Sequence, residues 1–288
     1  MNEYQKVLVT GVKGQLGYDV VKRLNELGIN CVGVDVEDFD LTDYEQVSSK
    51  VRLLQPTAII HCAAYTAVDA AESNEQLCNL VNVKGTENIA RVAEYLKAKL
   101  IYISTDYVFS GEGESAFETD SPKAPCNVYG RSKYLGEQAA QKYCSRTFIV
   151  RTSWVYGLNG GNFVKTMLRL AAEHSSINVV NDQIGSPTYT RDLAVLLCDM
   201  VQTEKYGVYH ATNEGYCSWA QFAAEIMSLA GKQTYVNPIL SSEYKTAARR
   251  PPNSRLSKIS LDFAGFKRLP HWKDALKRYI EELNSSVR

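Results

Sequence analysis

The 288-residue chain has few of the features that secreted, membrane or nucleic-acid-binding proteins require. Its seven cysteines are odd in number and contain no C-x-x-C pair, so the sequence predicts neither a disulfide framework nor a zinc site. Basic and acidic residues balance at 32 each without a basic run, which disfavours binding to a nucleic-acid backbone. No apolar run approaches the ~20 residues of a membrane span, and no signal-peptide-like stretch is evident. We therefore expect a cytoplasmic protein that binds neither nucleic acid nor membrane.

Short apolar runs alternate with longer amphipathic segments through the first half of the chain. The predicted strands cover residues 6–10, 31–35, 58–61, 100–104 and 147–151, and the helices between them cover residues 16–27, 42–54, 75–95 and 129–142. Such alternation is typical of a parallel sheet with helices on both faces. The sequence therefore predicts an α/β fold with a Rossmann-type doubly wound parallel sheet. Beyond Trp154 longer polar segments separate the predicted helices, which indicates a smaller α/β C-terminal lobe.

Three glycines with the spacing G-x-x-G-x-x-G connect the first predicted strand to the first predicted helix. Glycines allow the backbone to approach a pyrophosphate closely, and the N-terminus of a helix stabilises its negative charge. A tight turn without a ligand is the structural alternative. The residues predicted to bind a dinucleotide at this turn are Gly11, Gly14, Gln15, Leu16 and Gly17.

An acidic residue, Asp35, ends the second predicted strand at about the distance expected for a group that binds the adenosine ribose. Its carboxylate can accept hydrogen bonds from ribose hydroxyls and would repel a 2′-phosphate, and the only cation near the turn is Lys13. The sequence therefore predicts NADH as the preferred cofactor, with NADPH as the alternative. Asp40 and Leu41 lie where the chain returns to the sheet, and we expect them to contact the adenine.

A tyrosine followed four residues later by a lysine places both side chains on one face of a helix. This pattern has little weight by itself, because the chain contains it three times, at Tyr18/Lys22, Tyr95/Lys99 and Tyr129/Lys133. Only the third pair follows a Ser/Thr site at the carboxyl end of a strand, where ligands bind in open parallel sheets. The positive charge of Lys133 is predicted to favour the Tyr129 phenolate, and the Thr105 hydroxyl to orient a substrate carbonyl. The predicted catalytic residues are Thr105, Tyr129 and Lys133.

Together these motifs resemble an extended short-chain dehydrogenase/reductase, most closely the dTDP-4-dehydrorhamnose reductase family. The resemblance covers nearly the whole chain and is most specific in the strings STDYVF at residues 104–109 and GSPTYT at residues 185–190. It implies NAD(P)H-dependent reduction of the 4-keto group of a nucleotide-linked 6-deoxysugar. The implied reaction converts dTDP-4-dehydro-L-rhamnose to dTDP-L-rhamnose for surface polysaccharide synthesis.

The resemblance also implies further contacts with the two ligands. Residues 62–65 are expected to pass along the cofactor; they are Cys62, Ala63, Ala64 and Tyr65. The expected substrate contacts are Val68, Thr105, Asp106, Trp154, Asn162, Phe163 and Arg250. From the residues alone Trp154 is equally well interpreted as a core aromatic. We expect residues 1–155 and about 177–212 to form the dinucleotide-binding domain, and residues 156–176 and about 213–288 the substrate-binding lobe.

Two positions depart from the family pattern. Ala70 stands where many members have lysine, so one substrate-side or structural contact is in question. Some members dimerise around a magnesium ion held by glutamates, and Arg191 stands at one of those positions. We therefore predict no metal site, and a homodimer stays open.

Two other functions are left open by the motifs. One is a related nucleotide-sugar epimerase or dehydratase, although residues 106–107 read Asp-Tyr and lack the Asp-Glu pair of such dehydratases. The other is a regulatory subunit that binds a dinucleotide without turnover.

Overall fold

A six-stranded sheet forms the centre of the protein, seen in a computed structural model that describes residues 6–286. The strands, in chain order, are β1 (Lys6–Thr10), β2 (Asn30–Val34), β3 (Ala58–His61), β4 (Lys99–Thr105), β5 (Thr147–Thr152), β6 (Val155–Tyr156), β7 (Ser176–Val180), β8 (Ile184–Gly185), β9 (Thr188–Tyr189), β10 (Gly207–His210), β11 (Cys217–Ser218) and β12 (Tyr235–Ile239). The central sheet has the order β10-β5-β4-β3-β1-β2, and all its neighbouring strands are parallel. The predicted α/β doubly wound fold is thereby confirmed. The edge strand β10 has only four residues and was not predicted.

Helices cover both faces of this sheet. In chain order they are α1 (Gln15–Glu26), α2 (Tyr44–Leu54), α3 (Val68–Ala71), α4 (Glu75–Asn79), α5 (Thr86–Tyr95), α6 (Val128–Tyr143), α7 (Phe163–Glu173), α8 (Thr190–Val201), α9 (Trp219–Leu229), α10 (Ile259–Ala264) and α11 (Trp272–Ser286). The prediction of one continuous α-helix over residues 75–95 is wrong in its middle. A π-helical turn over Leu80–Gly85 separates α4 from α5.

The side chains of this π-helical turn explain why the helix changes its winding there. The Asn82 amide donates hydrogen bonds to the Tyr65 carbonyl oxygen and the Ser132 hydroxyl, at 3.1 and 2.9 Å. Its Oδ1 accepts a bond from the Tyr65 N–H at 2.8 Å. These partners lie far away in the sequence, so the apolar periodicity of residues 75–95 does not reveal them.

Alternating strand residues form a hydrophobic core on each face of the sheet, as expected where helices cover both sides. Val7 and Val9 face α1 and α8, where Val20 and Leu197 complete one core. On the other face, the second core contains Leu8, Val47, Ile59, Ile89, Leu100 and Tyr102. The carboxyl ends of the strands are thereby held rigidly between two packed layers.

The smaller C-terminal lobe has its own core, which includes Tyr156, Val164, Phe222, Trp272 and Tyr279. Strand β7 belongs to this lobe, because it pairs in parallel with β12 and its residues Ile177 and Val179 pack in the same core. Residues 177–180 were predicted in the dinucleotide-binding domain. We therefore propose a boundary that moves β7 into the smaller lobe and keeps α8 and β10 with the sheet.

Within residues 6–286, no helix is both long enough and apolar enough to cross a membrane. The seven cysteines, all within this described range, are free thiols.

Candidate active site

A cavity of about 820 Å³ opens at the carboxyl ends of the parallel strands. The last residues of four strands reach it, namely Thr10, Val34, Thr105 and Thr152. The predicted site residues that line it are Gly11, Gly14, Gln15, Leu16, Gly17, Asp35, Asp40, Leu41, Cys62, Ala63, Ala64, Thr105, Asp106, Tyr129, Lys133, Trp154 and Asn162. The other four, Tyr65, Val68, Phe163 and Arg250, lie outside this lining.

The glycine turn leaves no room for side chains at its key positions. Gly11 has a φ of +71°, and a Cβ placed on it would lie 2.7 Å from the backbone nitrogen of Ala63. A Cβ on Gly17 would overlap the carbonyl oxygen of Gly11. Among the described residues, no side chain caps the N-terminus of α1, so its first N–H groups are available to an anion at the cavity.

Carboxylates surround the end of β2 next to this turn. The Asp35 carboxylate accepts hydrogen bonds from the backbone N–H groups of Lys13 at 2.8 Å and Val36 at 2.9 Å. The Lys13 ammonium forms an exposed ion pair with Glu37 at 2.5 Å. This pair raises the pKa of Lys13 and lowers the pKa of Glu37, so both groups are charged at neutral pH. The only predicted cation near the turn therefore already has an acidic partner.

Tyr129 and Lys133 lie on α6, which reaches the cavity because its start packs closely on the end of β4. The Asn127 side chain caps α6 by accepting the Gly130 N–H at 2.7 Å. A Cβ on Gly130 would overlap the carbonyl oxygen of Tyr107, so only glycine permits this approach. The approach places Tyr129 beside Thr105 in the cavity lining.

Burial dominates the ionisation of the tyrosine and the lysine. It raises the pKa of Tyr129 well above the ordinary phenol value, Asp106 raises it further, and the neighbouring Thr105 hydroxyl opposes the rise. Burial lowers the pKa of Lys133 to about 7, partly opposed by Glu137. The Lys133 ammonium lies over the Tyr102 ring, 4.1 Å from its centroid. Burial therefore sets the direction of the Tyr129 pKa shift, and the expected effect of the Lys133 charge on the Tyr129 phenolate stays a prediction.

The two other Tyr-x-x-x-Lys pairs lie on the surface. Tyr18 on α1 is exposed, and Tyr95 is 63% exposed at the end of α5. The Tyr95 hydroxyl accepts a hydrogen bond from Arg52 at 2.8 Å. Of the three pairs, only Tyr129/Lys133 lines the cavity, in agreement with its selection from the sequence.

Two buried polar atoms in the cavity lining, Asp106 Oδ2 and Thr152 Oγ1, have no partner in hydrogen-bonding geometry among the described residues. Burial raises the pKa of Asp106 to about 6, opposed by the nearby Ser254 and Thr105 hydroxyls. The Thr105 hydroxyl donates to Asp106 Oδ1 at 3.0 Å. Asp106 Oδ2 and Thr152 Oγ1 are therefore available to hydrogen-bond a polar ligand in the cavity. Sequence reasoning overlooked Thr152, although it ends β5 directly beside Thr105 in the sheet.

Aromatic rings form another part of the cavity wall. Trp154 follows β5 and stacks on Trp219, with ring centroids 3.7 Å apart and planes 13° apart. Its φ of +48° is strained for a bulky residue, at a cost of roughly 1–3 kcal/mol. The ring centroid of Phe163 lies 4.6 Å from that of Trp219. Phe163 packs against this indole and does not line the cavity, although the sequence predicted it as a substrate contact. Trp219 was not predicted, because no local pattern in the sequence distinguishes it from a core aromatic.

The Asn162 side chain forms hydrogen bonds within the protein. Its Oδ1 accepts the Lys165 N–H at 3.0 Å and so caps α7, while its amide donates to Gln15 at 3.1 Å. Gln15 also accepts the Gly157 N–H at 2.9 Å. These bonds tie the glycine turn to the C-terminal lobe.

Three further positions singled out in the sequence lie outside the cavity lining. Arg250 forms an ion pair with Asp69 at 2.6 Å, and Val68 begins α3. Arg191 is paired with Glu282 at 3.1 Å, so this position carries an ion pair. Residues 6–286 contain no cluster of three or more His, Cys, Asp or Glu side chains suited to a metal ion.

Comparison with known proteins identifies the family. The family model described as "RmlD substrate binding domain" matches residues 5–285. The chain is 38% identical over 281 residues to the spore coat polysaccharide biosynthesis protein SpsK of Bacillus subtilis, covering 98% of this chain and 99% of the relative. It is also 38% identical over 294 residues to dTDP-4-dehydrorhamnose reductase of Escherichia coli, covering 96% and 97%.

A solved structure agrees with these matches. The dTDP-4-dehydrorhamnose reductase of Bacillus anthracis in complex with NADP superposes with a TM-score of 0.94 at 43% identity, covering 96% of this chain and 99% of that one. The family resemblance predicted from the motifs is confirmed. The chain belongs to the RmlD substrate binding domain family, with dTDP-4-dehydrorhamnose reductases among its relatives.

Proposed function

We propose that this protein is an NAD(P)H-dependent oxidoreductase that reduces the 4-keto group of dTDP-4-dehydro-L-rhamnose to give dTDP-L-rhamnose for surface polysaccharide synthesis. The observation that carries the proposal is that Thr105, Tyr129 and Lys133 line the same cavity as the glycine turn. The relatives named as dTDP-4-dehydrorhamnose reductases support the choice of substrate.

The residues at the glycine turn fit a dinucleotide. The turn has glycine at positions 11, 14 and 17, so no side chain there blocks the approach of a ligand to the backbone. The start of α1, which no side chain of the described residues caps, is suited to a pyrophosphate. Asp35 is placed to bind ribose hydroxyls, with Asp40 and Leu41 near the adenine. When bound, the dinucleotide supplies the hydride for the reduction.

Polar residues on the other side of the cavity supply the proton that the sugar oxygen takes up during the reduction. A raised pKa keeps Tyr129 protonated at neutral pH, which is the state that a proton donor to the sugar oxygen requires. The Thr105 hydroxyl orients the sugar carbonyl. The Lys133 side chain, which lines the cavity together with Tyr129, hydrogen-bonds the nicotinamide ribose.

We further propose that NADH is used more efficiently than NADPH by roughly tenfold or more, measured as kcat/KM. The supporting observation is the set of carboxylates at the end of β2, together with the pairing of Lys13 to Glu37. A 2′-phosphate would be repelled by Asp35 and would have to compete with Glu37 for the lysine.

Turnover by the purified protein tests the activity. Given dTDP-4-dehydro-L-rhamnose and NADH, the reductase oxidises one NADH for each sugar. A related epimerase or dehydratase would show no net loss of NADH absorbance. Dinucleotide binding without turnover at any protein concentration would indicate a regulatory subunit.

We place this reaction in the cytoplasm, supported by the free state of the seven cysteines within the described residues. The homodimer stays a prediction, which light scattering of the purified protein checks.

A further inference from the structure

Two indole rings from distant parts of the sequence meet at the cavity, and both pack against the core of the C-terminal lobe. Trp154 follows β5 of the central sheet, and Trp219 is the first residue of α9 in the C-terminal lobe. They stack at 3.7 Å, and both line the cavity that also contains Thr105 and Tyr129. The chain has only three tryptophans, and the third, Trp272, is buried in the core of the C-terminal lobe.

Trp154 adopts a backbone conformation that it would not choose by itself. A positive φ is rare for bulky residues and persists only where the surroundings enforce it. Its carbonyl oxygen accepts the Thr188 N–H at 3.1 Å. A Cβ on Gly185 would lie 2.8 Å from the indole Cε2 of Trp154, so the ring is confined against bare backbone.

Trp219, in contrast, occupies a rigid position. Ser218 and Gln221 form a reciprocal capping box at the start of α9, with bonds of 3.0 and 2.9 Å. The preceding strand β11 pairs with β8, which aligns Cys217 with Gly185. The same short sheet therefore sets the position of Trp219 and of the glycine that confines Trp154.

We propose that Trp219 is a positioning residue, whose stacked indole holds Trp154 as a flat apolar wall that orients the deoxysugar toward Thr105 and Tyr129. This assignment rests on the proposed reductase function. A 6-deoxysugar carries a methyl group in place of a hydroxymethyl group, so one edge of the sugar is apolar and suits an indole surface. Ligand pockets commonly combine such apolar walls with a few polar groups that fix orientation.

The test uses Trp219→Leu and Trp219→Phe, with Trp272→Phe as the matched control for loss of a buried tryptophan. A stacked indole pair gives an exciton couplet in the circular dichroism spectrum. We expect the couplet in the wild type and in Trp272→Phe, and its loss in both Trp219 variants. We expect kcat/KM for the sugar nucleotide to fall roughly 10- to 100-fold in Trp219→Leu, less in Trp219→Phe, with unchanged NADH affinity.

Gly185→Ala provides an independent variant, because it displaces the Trp154 ring while leaving Trp219 intact. We expect it to alter the couplet and to lower kcat/KM for the sugar nucleotide, again without a change in NADH affinity. A Trp219→Leu variant with the same kcat/KM as Trp272→Phe would overturn the assignment. So would a parallel loss of NADH affinity, which indicates general disruption. Absence of turnover by the wild type overturns the proposed function and this assignment with it.

Discussion

The Asp35 carboxylate accepts a hydrogen bond from the backbone N–H of Lys13 at 2.8 Å, which joins the end of β2 to the glycine turn. Asp35 therefore supports the shape of the turn in addition to its proposed contact with the ribose. Replacing it would change both properties at once. Glu37 is the better residue for testing cofactor choice, because it contacts Lys13 only through the exposed side-chain ion pair.

Replacing Glu37 with glutamine is expected to make NADPH a better cofactor. The change frees the Lys13 ammonium to pair with a 2′-phosphate, and it removes one negative charge near that phosphate. We expect the NADPH/NADH ratio of kcat/KM to rise about two- to fivefold, the size of one exposed ion pair. The effect should shrink at high salt. Glu26→Gln removes the same charge away from the turn, and an equal change there would contradict the role of Glu37.

Replacing Tyr129 with phenylalanine removes the proposed proton donor and little else. We expect kcat to fall by roughly 10²- to 10⁴-fold, the usual contribution of a general acid. Dinucleotide affinity, measured by fluorescence titration, should remain nearly unchanged. Tyr95→Phe is the matched control, because Tyr95 belongs to a surface Tyr-x-x-x-Lys pair. Full activity of the Tyr129 variant would exclude Tyr129 as the donor.

Replacing Asp106 with asparagine is expected to stabilise the protein at neutral pH. The folded-state pKa of Asp106 is raised to about 6, so the fold favours its neutral form. The wild type therefore loses stability as the pH rises from about 4 to about 6, and asparagine avoids this loss. We expect the variant to gain about 1–3 kcal/mol in unfolding free energy at pH 7. Urea denaturation at several pH values measures the gain, which should disappear near pH 4; a gain independent of pH would contradict this explanation.

Replacing Gly17 with alanine is expected to abolish dinucleotide binding, because the added Cβ overlaps the Gly11 carbonyl oxygen within the turn. Gly28→Ala is the control. Gly28 has a φ of +66°, and an added Cβ meets no atom of the described structure within 4 Å. This variant should lose about 1 kcal/mol of stability and keep its dinucleotide affinity. Calorimetric titration with NADH distinguishes the two, and tight binding by Gly17→Ala would show that the turn is not the pyrophosphate site.

The sequence by itself determined the features that depend on local patterns. The alternation of apolar runs predicted five strands of the parallel sheet, and three glycines after the first strand predicted the turn at the cavity. The sequence also selected Tyr129 among three similar pairs, and Tyr129 lines the cavity beside Thr105, because the carboxyl ends of parallel strands meet at one edge. Its catalytic role stays a prediction. The family motifs predicted the family, which the comparisons with known proteins confirm.

Only the tertiary structure decided how distant residues meet. The π-helical turn depends on Asn82 reaching Tyr65 and Ser132, and the stacking of Trp219 on Trp154 depends on the pairing of β8 with β11. The direction of the Tyr129 pKa shift follows from burial, which spacing along a helix does not reveal. Periodicity and glycine spacing are encoded within a few neighbouring residues, whereas desolvation and stacking arise from atoms that only the folded chain brings together.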